Sequence, residues 1–243
     1  MSMSDTTAAT PPAEKANGLA TYLMVLYAPG QAFATLARVP TWGWAAVVGI
    51  ILTLAGTLIV MPATIHYTHI AQEQQLAQMS ADKQEAARQA MAMIPDWIYP
   101  VFGVIGSFFA PWLYWLIGSV VYLIGAALGG GDARFRAAWV GAVNVYIIPA
   151  LGNIVAGVII MLRGAANINA QSDLFVLPSL AMLVHGSPKL EFFLYTFNIV
   201  NIWLYVVAVI MLQQLLKLRG IAAVVTVAVL ALLVGGVGAL FAK

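Results

Sequence analysis

Two sets of residues have the types and spacing to do chemistry. The first is His66-x-x-His69-x-x-x-Glu73. Offsets of three and seven put all three side chains on one face of a helix, and two imidazoles with a carboxylate make a zinc-type ligand set. The competing reading is a polar helix exit at a membrane interface. No metal and no cofactor is expected on balance. The second set is amide: Asn144, Asn153, Asn198 and Asn201 fall in otherwise apolar stretches. Amides surrounded by lipid seek partners, and interhelical hydrogen bonds there contribute about 0.6–2 kcal/mol each. They read either as packing glue between two membrane helices or as the lining of a polar path.

Other chemistries lack their residues. The chain has no Cys, so thiolate nucleophiles and thiolate metal sites are excluded. It carries no His-Glu-x-x-His helix, no Gly-x-Ser-x-Gly elbow and no Gly-x-x-x-x-Gly-Lys phosphate loop. No Asp or Glu lies within an apolar stretch long enough to span a bilayer, which argues against intramembrane aspartyl proteases and proton-coupled carriers. The reading is non-enzymatic.

The elements that position these residues follow from charge spacing. Eleven Lys and Arg and nine Asp and Glu leave long stretches with no charge at all. Crossing a bilayer core takes roughly 20 apolar helical residues, and in lipid only helices or closed barrels satisfy the backbone. Hydrophobic residues make up 62% and charged ones 8%, against roughly 45–50% and 25% in soluble domains. The net charge of +2 does not suggest nucleic acid. The expected fold is therefore all-α: a polytopic helical membrane protein with five transmembrane helices at 42–61, 101–128, 139–161, 192–212 and 221–241. Pro62 is expected to end the first, and Pro111 to kink or tilt the second. The lipid bilayer is the first partner. The small-residue patterns Gly125-x-x-x-Gly129, Gly152-x-x-x-Ala156 and Gly235-Gly236-x-Gly238 mark close helix contacts, within the bundle or with a second copy or another membrane protein.

Residues 1–17 form a polar tail with Pro11 and Pro12, expected to be disordered and without the pattern of a cleavable signal peptide. Residues 18–38, interrupted by Pro29-Gly30, read as two short interfacial helices. The segment 63–96 should be largely helical outside the bilayer, and 163–191 irregular. Arg38, Arg134, Arg136, Lys217 and Arg219 lie on one side of a five-span arrangement, which puts the N-terminus in the cytoplasm and the C-terminus opposite.

The stretch Leu26-Tyr27-Ala28-Pro29-Gly30-Gln31-Ala32-Phe33, then Arg38-Val39-Pro40-Thr41-Trp42, resembles the opening of Yip-domain membrane proteins. Gly129-Gly130-Gly131-Asp132-Ala133-Arg134-Phe135-Arg136, followed by Pro149, resembles the turn linking that family's second and third spans. The resemblance covers 18–243 as one membrane domain and implies five spans with a cytoplasmic N-terminus. It singles out Pro29, Phe33, Gly129, Gly130, Gly131, Phe135, Arg136 and Pro149 as motif residues. Eukaryotic members resemble adaptors of membrane traffic that engage lipidated Rab-type GTPases. The helical segment after the first span and the Asn- and Pro-containing loop after the third depart from the commonest pattern. The Ala-rich composition suggests a bacterial inner-membrane member. The function expected is a scaffold, membrane organiser or partner-binding module. A small transporter or channel using the asparagines and a metal-dependent activity at His66, His69 and Glu73 are the alternatives.

Overall fold

The computed structural model describes residues 17–95, 97–184 and 186–242. All but the last residue of the expected polar tail therefore lies outside the described residues. Among those described, the chain forms helices and no strand beyond a single isolated bridge. In chain order they are α1 (Gly18–Met24), α2 (Pro29–Arg38), α3 (Gly43–Ala77), α4 (Ala81–Ala92), α5 (Ile98–Leu128), α6 (Phe135–Val145), α7 (Ile147–Arg163), α8 (Pro188–Tyr195), α9 (Ile199–Leu215) and α10 (Gly220–Phe241). Three short 3₁₀ turns, Ala165–Asn167, Gln171–Leu174 and Leu180–Leu183, lie between α7 and α8.

Four helical stretches among the described residues are long and apolar enough to cross a membrane: α3, α5, Phe135–Arg163 and α10. The protein is a polytopic, all-α membrane protein. α9 is apolar but has only 17 residues, about 25 Å of helix against a hydrocarbon core of about 30 Å.

Two boundaries differ from the sequence expectation. α3 does not stop at Pro62 but runs through it to Ala77. A proline inside a helix removes one hydrogen bond and costs about 3 kcal/mol, and the turns on both sides of Pro62 remain helical. At 35 residues, α3 is roughly 50 Å long, so its C-terminal part extends beyond a bilayer core. The second difference lies at 192–212. The chain there is not one helix but α8 and α9, separated by Thr196–Asn198. Both pack along the single helix α10, Gly235 of α10 facing Phe193 and Thr196 across the break.

The short N-terminal helices are drawn into the bundle. Asn17 caps α1, its Oδ1 accepting from the Leu19 and Ala20 amides at 3.1 and 3.2 Å. Pro29 opens α2, where a missing N–H costs nothing. Tyr22, Val25, Ala32, Phe33 and Leu36 are buried in the main core, and α2 lies against α9. Burial, aided by the nearby Tyr146, pushes the Tyr22 phenol well above its ordinary pKa, so it stays neutral. At the centre of the core, Trp115 meets Trp139 and Tyr146 edge-on, with centroids 6.2 and 5.6 Å apart. Edge-to-face pairs of this kind add about 0.5–1.5 kcal/mol each beyond their burial.

The three small-residue patterns mark contacts inside the bundle. Gly125 faces Thr226 of α10, Gly152 faces Val200 of α9, and Gly235 faces α8. α3 and α7 approach closely at Gly56, where an added Cβ would sit 3.3 Å from the Asn153 main chain.

The turn after α5 is set by glycine. Gly130 has φ +73°, and the Gly131 amide donates to Ala126 O at 2.8 Å, the six-to-one bond of a Schellman stop. A Cβ at Gly130 would meet nothing within 4 Å, so substitution there costs backbone energy alone. Gly130→Val is expected to destabilise the protein by about 1–2 kcal/mol or more, and Gly130→Asn by less, because Asn tolerates the left-handed region. Thermal melting in detergent measures this ordering.

Candidate functional site

Two of the four amides, Asn198 and Asn201, meet where a helix is interrupted. At the α8–α9 break, Asn198 takes the N-cap position of α9. Its Oδ1 accepts from the Asn201 amide at 3.0 Å, and its Nδ2 donates to Tyr195 O at 3.0 Å. Thr196 O accepts twice, from Asn201 Nδ2 at 3.1 Å and from Tyr205 Oη at 3.0 Å. The loop after α7 closes the break from outside: the Ile199 amide donates to Pro178 O at 3.0 Å, within an antiparallel bridge between Ser179 and Asn198. Asn198 and Asn201 therefore do not share a mid-span helix face. They take up main-chain groups that the interruption frees, in surroundings where water is scarce.

Asn144 also bonds main-chain carbonyls, but from within a helix. Buried in α6, it donates from Nδ2 to Thr41 O at 3.0 Å and to Val140 O at 2.8 Å. The first bond ties α6 to the link that precedes α3. Just beyond it the helix breaks at Tyr146, and Pro149 falls in the first turn of α7, where its lack of an N–H leaves Val145 O without a helical donor. Asn153 is exposed, at the α3–α7 contact where its Cβ lies beside Gly56. The four asparagines are thus distributed over three places, and three of them make side-chain to main-chain bonds: Asn198 and Asn201 within the α8–α9 break, Asn144 across to the link before α3.

A cavity of about 180 Å³ adjoins the α8–α9 break, lined by Tyr114 and Tyr122 of α5, Pro149, Thr196, Asn201 and Tyr205. Of the four asparagines, it takes in Asn201. The tyrosines and Thr196 did not stand out in the sequence. The available signal was Thr196-Phe197-Asn198 just before an apolar run, an N-cap pattern concealed by the uncharged stretch around it.

His66, His69 and Glu73 lie on the part of α3 beyond Pro62, and their side chains have separate neighbours. The His69 ring packs edge-on against Tyr99 with centroids 5.6 Å apart. Glu73 Oε2 lies 3.8 Å from Arg88 Nη2, both groups exposed. Nε2 of His66 is buried and accepts or donates no hydrogen bond among the described residues. Among those residues no three of His, Cys, Asp and Glu are grouped to hold a metal ion.

The motif residues fall into two structural groups. Pro29 and Phe33 are buried in α2. Gly129, Gly130 and Gly131 make the turn after α5, Phe135 stacks on Trp139 with centroids 6.2 Å apart, and Arg136 is exposed. Trp42 meets Trp139 from its other side at 6.1 Å, which brings the link after Arg38 to the start of α6. The Asp132 amide donates to Leu216 O at 2.6 Å, joining the α5–α6 turn to the α9–α10 turn. Arg38, Arg134, Arg136, Lys217 and Arg219 thus gather at one end of the bundle.

Residues 23–240 match the family model of the Yip1 domain. No curated protein and no solved structure matches the chain.

Removing the Asn198 side chain takes away the α9 cap and a donor to Tyr195 O. Asn198→Leu is expected to cost about 1–2 kcal/mol. Asn201→Leu should cost less, because Tyr205 still donates to Thr196 O. Chemical or thermal unfolding in detergent tests the order, and equal losses at both positions would contradict the assigned bonds.

Proposed function

The chain belongs to the Yip1 domain family, and from that premise we propose that it is a non-enzymatic integral membrane protein acting as a scaffold, membrane organiser or partner-binding module. One observation carries this reading. The amides in the apolar region, Asn144, Asn198 and Asn201, are bonded to main-chain carbonyls at interruptions and links. They support the shape of the bundle rather than converging on a common path. The partners of this reading are the lipid bilayer and either a second copy of the chain or another membrane protein. The motif residues Pro29, Phe33, Gly129, Gly130, Gly131, Phe135, Arg136 and Pro149 act in it by shaping α2, the α5–α6 turn and the start of α7.

The topology that goes with this function has five crossings, α8 and α9 together forming the fourth. The gathering of Arg38, Arg134, Arg136, Lys217 and Arg219 at one end supports a cytoplasmic N-terminus and an opposite C-terminus. The Ala-rich composition favours a bacterial inner membrane. Reporter fusions to the C-terminus are expected to be active on the non-cytoplasmic side. A cytoplasmic C-terminus would overturn both the orientation and the odd number of crossings.

The cavity beside Asn201 favours a second reading, a small transporter. Liposomes holding the wild-type chain are expected to release a trapped polar solute such as glycerol no faster than protein-free liposomes. Faster release that Asn201→Leu abolishes without changing the melting temperature would favour transport over the scaffold.

A further inference from the structure

Where the α5–α6 and α9–α10 turns meet, they border an open polar pocket of about 430 Å³ lined by Gly129, Gly130, Gly131, Asp132, Lys217 and Arg219. Its charge is unbalanced. The carboxylate of Asp132 is taken up by Arg134, Oδ2 to Nη2 at 2.8 Å. Lys217 Nζ donates once, to Gln214 O at 2.8 Å, which leaves two of its three N–H donors. Arg219 has no acidic partner among the described residues. The backbone at Lys217 adds a second observation. Its φ of +53° makes it the only non-glycine residue with positive φ among those described. A lysine in the left-handed region is strained where Gly or Asn would not be; here it sits just past the Leu216 C-cap, where the left-handed turn ends α9 and the Leu218 amide donates back to Leu212 O at 3.2 Å.

Directly below, and sharing Gly129 with this pocket, lies an apolar groove of about 360 Å³ between α5 and α10. Val121, Ile124 and Leu128 form one wall, at helical spacings of three and four, and Ala222, Val225 and Val229 form the other. The groove is open at the lipid-facing surface, where Ile124, Leu128, Val225 and Val229 are exposed. A cationic pocket at a helix end, continuous with an apolar groove running into the bilayer, is complementary to a molecule with an anionic head and a hydrocarbon chain. A larger apolar groove of about 550 Å³ between α9 and α10 has no charged residue in its lining and lacks that complementarity.

We propose that this chain binds an anionic glycerophospholipid of the surrounding leaflet, its phosphate held by Lys217 and Arg219 against the glycine turn and an acyl chain lying in the α5–α10 groove. Each cation then strengthens binding by roughly fivefold. Neutral zwitterionic lipids gain little from the pocket. Inorganic phosphate shares the head chemistry but has nothing to place in the groove.

The test uses the full-length chain purified in neutral detergent, with thermal melting and native mass spectrometry as readouts. Phosphatidylglycerol is expected to raise the melting temperature and remain bound, whereas phosphatidylcholine, glycerol 3-phosphate and inorganic phosphate do neither. Arg219→Gln should weaken phosphatidylglycerol binding about fivefold. Lys217→Asn should do the same while keeping or raising the melting temperature without lipid, since Asn suits the left-handed backbone. Val225→Trp, at an exposed position on the groove wall, should abolish lipid retention with the unliganded melt unchanged. Equal stabilisation by phosphatidylcholine, or full binding by both charge variants, would overturn the proposal. Stabilisation by inorganic phosphate that Val225→Trp leaves intact would overturn the lipid assignment in favour of a soluble anion.

Discussion

Inside a bilayer a main-chain carbonyl that leaves its helix has no water to bond, and much of this structure is arranged around that constraint. The interruption between α8 and α9 frees Tyr195 O and Thr196 O. Asn198, Asn201 and Tyr205 supply the missing donors, and the loop after α7 supplies an acceptor at Pro178. An unpaired buried group would cost about 1–3 kcal/mol, so these side chains cannot be exchanged freely for apolar ones of similar volume. Asn144 meets the same need at a link rather than a break, donating to Thr41 O ahead of α3. Three of the four amides, Asn144, Asn198 and Asn201, thus serve carbonyls of links and interruptions.

A broken helix also changes what its neighbours must do. α10 is continuous over 22 residues and lies along both α8 and α9, so it bridges the gap between them. Gly235 lets it approach Phe193 and Thr196 closely. On the other side of the bundle, α3 and α7 approach through Gly56, and the aromatic cluster of Trp115, Trp139 and Tyr146 fills the centre. Lipid tails are as apolar as leucine, so close packing and hydrogen bonds, rather than exclusion of water, hold such helices together. Glycines at crossings and aromatic rings between helices are how this chain obtains that packing.

Much of this was legible in the residues. The polytopic all-α class follows from the uncharged stretches, and the Yip-domain resemblance carried by 26–42 and 128–149 agrees with the family match over 23–240. The glycine turn after α5 and the helical character of 63–96 were also readable, because Gly needs no partner to stop a helix and Ala, Gln and Glu favour one locally. The asparagines were recognisable as unusual but not interpretable. Composition treats Asn198 inside a long apolar run as a mid-span amide, and only the neighbouring backbone reveals it as a cap.

What the sequence determined by itself is the solvent in which this chain folds: its apolar lengths and sparse charges require helices in lipid, and its local turn chemistry marks where some of them stop. What only the tertiary structure decided is how interruptions are tolerated. Helix α3 continues through Pro62 while 192–212 breaks at Thr196–Asn198 without a proline. The break at Thr196–Asn198 persists because other groups bond the freed backbone, and two of these, Pro178 and Tyr205, lie 21 and 9 residues in sequence from the groups they bond. The joining of the 129–132 and 216–219 turns into one cationic pocket is of the same kind. It depends on Asp132 donating to Leu216 across more than 80 residues, a contact that no local pattern encodes.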